Sequence, residues 1–214
     1  YRSKKECAAH GGAYRKKTEQ ARELVERLLA WLPETTFDLL LDSGYVTRTV
    51  LHGLPERVRV LGAMNARAAL SEVGGRRLRN GRHSPKGAPL PSCAAWAEDA
   101  ARPWQTVAAH VYGGLRTMQI KTEVVQWWSV LGARAVRVVL VRCTTGALPL
   151  RAFLCTDPEA EVPWVLSGYA RRWAVEVFYF EVKQLLGLCA SRARLEWAVR
   201  RTARQKSNPL DELQ

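Results

Sequence analysis

Apolar positions change their period along the chain, and each period predicts an element. From about Thr18 to Leu32, leucines recur at 24, 28 and 32 with Val25 and Trp31 beside them. This predicts an amphipathic helix with Leu24, Leu28 and Leu32 on its buried face, ended by Pro33. Phe37-Asp38-Leu39-Leu40-Leu41-Asp42 follows. A short apolar run closing on an acid predicts a buried parallel strand with a carboxylate at its C-terminal edge. Ser43-Gly44 predicts a turn, Arg48 to His52 a short helix, and Val58 to Met64 a second strand. Helix, strand, helix, strand in that order predicts an α/β core.

The periodicity lapses between Gly74 and Pro91, where Gly, Arg and Pro dominate and a loop is expected. Strand-like alternation then returns over Thr106 to Val111, Gly114 to Val125, Ala135 to Val141 and Leu148 to Leu154, with turn signals at Gly113-Gly114 and Thr145-Gly146. These segments predict a β-rich insertion. Trp127-Trp128 reads as strand as well, with one ring to each face. One ring would then be free to stack on a base, although two core rings are the commoner arrangement. After Thr156-Asp157-Pro158 the helical period predicts one long helix from about Glu161 to Leu186, closed by Gly187, then a basic helix from about Arg192 to Arg204. The stretch from Ser207 to Gln214 is expected to fray.

Composition narrows the function classes. The chain has 214 residues, 47% hydrophobic and 25% charged, so it can bury a core and is not low-complexity. No apolar run reaches the roughly 18 residues of a membrane span, and no secretory signal is visible, so no membrane partner is expected. Cys7, Cys93, Cys143, Cys155 and Cys189 are scattered without a C-x-x-C pair. That points away from zinc and a disulfide framework and towards a reducing cytoplasm. His10, His52, His83 and His110 have neither ligand nor triad spacing. The formal net charge of +13 changes the picture most. It gathers at Arg2, Lys4, Lys5, Arg15, Lys16 and Lys17; at Arg67, Arg76, Arg77, Arg79, Arg82 and Lys86; and from Arg192 to Lys206. Nucleic acid is the expected partner, because neutralising phosphates releases counterions. A solvated Arg-rich surface has the same composition, so charge alone leaves both readings open.

The long predicted helix carries the chemistry. Tyr169, Arg172, Glu176 and Lys183 are spaced by three, four and seven residues. On one helix they fall within an arc of about 60°. Trp173, Val177, Phe178, Phe180, Val182, Leu185 and Leu186 make much of the remaining surface apolar, so the polar stripe should face a cleft or a partner. The plain alternative is an i, i+4 ion pair between Arg172 and Glu176. Asp42, at a predicted strand end, supplies a second carboxylate. Two-metal phosphoryl transfer needs acids from different elements converging on cations about 4 Å apart. Arg172 and Lys183 could hold DNA phosphates beside them.

Tyr169-x-x-Arg172-x-x-x-Glu176-x-x-x-x-x-x-Lys183 resembles the Y-(2)-R-(3)-E-(6)-K signature of a large group of bacterial insertion-sequence DDE transposases. Thr156-Asp157, Arg172-Trp173, Lys183-Gln184-Leu185-Leu186-Gly187 and Leu41-Asp42-Ser43-Gly44-Tyr45 also resemble this family, and the resemblance runs from about Tyr14 to Ala203. It implies a ribonuclease-H-like core with a β-rich insertion ahead of the last acidic helix. Residues 1–73 would form part of that core, 74–157 the basic loop and insertion, 158–206 the helices completing the core, and 207–214 a tail. It implies that Asp42 and Glu176 are catalytic metal ligands for two magnesium or manganese ions. Tyr169, Arg172 and Lys183 would then hold the DNA backbone, with Arg76, Arg77, Arg79 and Arg82 as further DNA contacts. The implied reaction is metal-dependent cleavage and strand transfer at transposon ends, on double-stranded DNA, in the cytoplasm at the nucleoid, with a homodimer possible in the DNA complex. The family has three carboxylates, and nothing before Thr18 reads as a strand ending in Asp. Asp38, four residues before Asp42 on the same strand, is a poor substitute. The chain is therefore expected to be a C-terminal fragment lacking the first acid and its N-terminal strands. A non-catalytic DNA-binding remnant is the alternative, ahead of another ribonuclease-H-like nuclease.

Overall fold

The fold is given by a computed structural model that describes residues 4–142 and 150–185. The chain divides into two compact units, Tyr1–Ala170 and Arg171–Gln214. The first opens with α1 (Lys4–His10), α2 (Lys17–Trp31), β1 (Phe37–Leu41), α3 (Arg48–Leu51) and β2 (Val58–Met64). A short ribbon of β3 (Arg76–Arg77) and β4 (His83–Ser84) follows, then α4 (Cys93–Glu98), β5 (Gln105–Val111), β6 (Gly114–Gln126), α5 (Trp128–Leu131), β7 (Ala135–Arg142), β8 (Arg151–Cys155) and α6 (Val162–Ala170). In the second unit the described element is α7 (Trp173–Leu185).

The architecture is mixed α/β. Six strands form one sheet in the order β1-β2-β8-β7-β6-β5. The β1–β2 pair is parallel, and every other neighbouring pair is antiparallel. The expected insertion strands thus continue the sheet that β1 and β2 begin. Alternation along the central strands feeds two cores. Val136, Val138 and Leu140 of β7 pack on one face with α2, α3, α4 and α5, while Val139 and Val141 pack on the other with Val165 and Leu166 of α6. A period of two on a sheet covered on both sides requires this division. At the β5–β6 hairpin, Tyr112 and Gly113 have φ of 51° and 77°. Two left-handed residues are what a tight turn matching the strand twist requires.

Four expectations need correction. First, α2 turns a different face inward: Val25 is buried with Ala21 and Leu29 against the core, while Leu24 and Trp31 are 66% and 75% exposed. Arg22 orients the helix, donating to the Val50 and His52 carbonyls at 3.1 and 2.6 Å. Second, Trp127 is not on a strand. β6 ends at Gln126, and Trp127 is the N-cap of α5, with its ring buried in the core. Its carbonyl accepts from the Val130 and Leu131 amides, which turns the chain. Third, residues 74–91 are not a plain loop, because β3 and β4 pair within them. Fourth, the single long helix is interrupted at Arg171-Arg172. There the Ala174 and Val175 amides bond three residues back, to the Arg171 and Arg172 carbonyls, and α7 begins on a new turn. Thr145-Gly146, the start of the expected strand Leu148 to Leu154, Leu186, Gly187 and everything beyond lie outside the described residues.

Candidate functional site

Asp42 follows the last residue of β1. Leu41 pairs with Gly62 in the parallel register, and the Gly62 position brings the two backbones close. A Cβ there would collide with the Val46 side chain and stand 3.2 Å from the Leu41 carbonyl. The chain then turns sharply. The Asp42 carboxylate accepts from the Ser43 amide at 2.8 Å, and its carbonyl accepts from the Tyr45 amide at 2.9 Å. This local bonding is what an Asp at a turn supplies. It fixes an exposed carboxylate at the C-terminal end of the parallel pair.

Tyr169 lies at the same end of the sheet. Gly62 pairs with Leu154, so the next level holds Ala63 opposite Phe153, and the Tyr169 ring meets Phe153 at 4.7 Å between centroids. Asp42 stands one step beyond Leu41, at that level and two strands away, about 10 Å by strand spacing. At the other end of β1, Asp38 is bonded to Arg59 at 2.7 Å, and Arg59 stands 3.9 Å from Asp157 and 4.6 Å from the Trp164 ring. This acid–base row across β1, β2 and the end of β8 occupies Asp38 structurally and separates it from Asp42. The row is a contact that sequence reading missed; only the strand register brings residues 38, 59 and 157 together.

In the second unit, Arg172 lies in the turn before α7, and Glu176 is in its first turn. They form an i, i+4 pair at 2.6 Å, with Glu176 45% exposed. An exposed pair of this kind contributes only about 0.3–0.5 kcal/mol, so other ligands can compete for the carboxylate. Lys183 lies in α7, and its side chain is outside the described residues. The four signature residues do not lie on one continuous helix: Tyr169 belongs to α6, Glu176 and Lys183 to α7, and Arg172 to the turn before α7.

Arg76, Arg77, Arg79 and Arg82 come together on the β3–β4 ribbon, all exposed. Among the described residues no group of three or more His, Cys, Asp or Glu side chains is placed to hold a metal. Within its own unit, Asp42 has one carboxylate oxygen tied to the Ser43 amide, and within the other unit Glu176 is held by half-buried Arg172. Cysteine chemistry is not favoured. Burial pushes the Cys93 thiol up to about 11 and raises that of Cys155, so neither is a ready thiolate. No helix among the described residues is long and apolar enough to cross a membrane. No protein-family model matches the chain, and no curated protein matches it at a meaningful level.

Proposed function

We propose that this chain is the DNA-handling part of a DDE transposase catalytic region, ribonuclease-H-like in fold, carrying two of the three carboxylates that strand transfer needs. The observation that carries the reading is Asp42, an exposed acid at the end of a parallel strand, at the sheet end where Tyr169 of the signature lies. The signature residues and the net charge of +13 support it. Asp42 and Glu176 would be the carboxylate ligands of magnesium or manganese, which supplies Lewis acidity at the scissile phosphate when bound. Arg172, Tyr169 and Lys183 would hold the phosphates on either side. A homodimer on the DNA belongs to the same reading.

The sheet leaves a natural place for a third acid. β1 is the outermost strand among the described residues, and three of its five residues are only half-buried. A strand added along its free edge would lie about 5 Å away and bring its end beside Asp42. Without that strand the account favours DNA binding over cleavage. Purified chain should bind duplex DNA with a steep salt dependence and leave it uncut in magnesium. Failure to bind would overturn the function. Magnesium-dependent nicking lost on Glu176→Ala would overturn the claim that the third acid is required.

A further inference from the structure

The β3–β4 ribbon is a built element rather than a charged loop. Its strands pair Arg76 with Ser84 and Arg77 with His83. Its tip is closed by Leu78 and Gly81, with the Gly81 amide bonding the Leu78 carbonyl, the Leu78 amide bonding the Arg82 carbonyl, and Gly81 at φ 76°. The base is tied to the main sheet. Ser71 and Gln126 exchange both backbone hydrogen bonds, at 2.9 and 2.8 Å, and the Glu72 amide bonds the Ala88 carbonyl. The buried Gln126 side chain accepts from the Gly87 amide and donates to the Ala133 carbonyl, each at 3.2 Å. A Cβ on Gly87 would run into the Glu72 carbonyl, so the two legs leave the sheet in close contact.

On this anchored ribbon Arg76, Arg77, Arg79 and Arg82 are exposed, and none is in an ion pair among the described residues. Arg22, Arg27, Arg59 and Arg102, by comparison, each face a carboxylate. Four unpaired guanidiniums on one small element repel one another unless a polyanion joins them. The ribbon from Gly74 to Pro91 has no Phe, Tyr or Trp on which a splayed base could stack. Its two large apolar residues, Leu78 and Leu90, are half-buried, so membrane insertion is not served either. The shape fits a duplex. Two strands about 4.8 Å apart make a ribbon that a B-form major groove, about 12 Å wide, admits.

We infer that the β3–β4 ribbon enters the major groove of B-form duplex DNA and sets its four arginines against the flanking phosphates, with Gln126 as the positioning residue at its base. This deepens the DNA-binding reading above and rests on it. The test measures binding of the full chain to a short random-sequence DNA duplex, and to the RNA duplex of the same sequence, across a salt series. The variants are the combined Arg76→Ala, Arg77→Ala, Arg79→Ala, Arg82→Ala chain and a charge-matched control with Arg27, Arg48, Arg116 and Arg151 changed to Ala. For DNA, the slope of log affinity against log salt should fall by about 3 to 4 in the ribbon variant and hold in the control. The RNA duplex, whose major groove is too narrow for the ribbon, should bind the wild type at least about tenfold more weakly. A ribbon variant with the wild-type slope would overturn the ribbon's role while leaving the DNA reading standing. Equal binding of both duplexes would overturn groove entry. A wild-type chain that binds neither duplex would overturn the DNA reading itself.

Discussion

Lys121 is an ordinary alternating cation in the sequence and the most constrained charge in the first unit. It is 4% exposed, and its ammonium donates to the carbonyls of Trp96, Ala97 and Asp99 at 3.0, 2.9 and 2.8 Å, with the Trp104 ring 5.0 Å away. Those carbonyls lie at the C-terminal end of α4, where a helix runs short of amides; the Trp96 and Asp99 carbonyls also accept from the Asp99 and Arg102 amides. Lys121→Met should remove a charged donor that all three share and cost about 1–3 kcal/mol in urea unfolding. A loss below about 0.5 kcal/mol would contradict that account. None of this was legible beforehand, because the partners lie 22 to 25 residues away. Thr156 is similar: its hydroxyl accepts from the Val60 amide at 2.8 Å, clasping β8 to β2 across 96 residues. Arg172 and Glu176 were legible, since i, i+4 spacing alone announces their pair.

At the level of elements, periodicity served well where burial imposes it. β2 spans Val58–Met64 as its apolar run predicts, and β5, β6 and β7 lie within a residue of expectation. It failed where geometry is set by tertiary contacts. The inward face of α2 is chosen by Arg22 bonding to α3, which no leucine count reveals. The break between α6 and α7 falls at two arginines with no Gly or Pro to mark it. The ribbon did have a signal: Asn80-Gly81 is a strong hairpin dipeptide, masked by the surrounding arginines. The β5–β6 turn was marked by its glycines and offers a test. Gly113 sits at φ 77°, so Gly113→Ala should destabilise the fold by about 1 kcal/mol in denaturant unfolding. An unchanged midpoint would mean that the turn relaxes to another conformation.

At the scale of the molecule, the net charge is +13, and among the described residues the arginine ribbon is the clearest place where basic side chains turn outward. Among the described residues β1 is one edge strand of the sheet, with Asp42 just past its C-terminal end. Exposed apolar residues on the neighbouring α2, Leu24 and Trp31 among them, leave that side of the unit incompletely covered. The central proposal is that Asp42 and Glu176 are each carboxylate ligands of a divalent cation when the chain is on DNA. Manganese uptake by the chain bound to duplex DNA, followed by electron paramagnetic resonance, tests it most directly. The account predicts uptake by the wild type that weakens at least about tenfold in Asp42→Asn and in Glu176→Gln alike, as loss of a ligating carboxylate requires, while DNA affinity in chelator stays unchanged. Uptake that is absent, or equal in all three proteins, would contradict it.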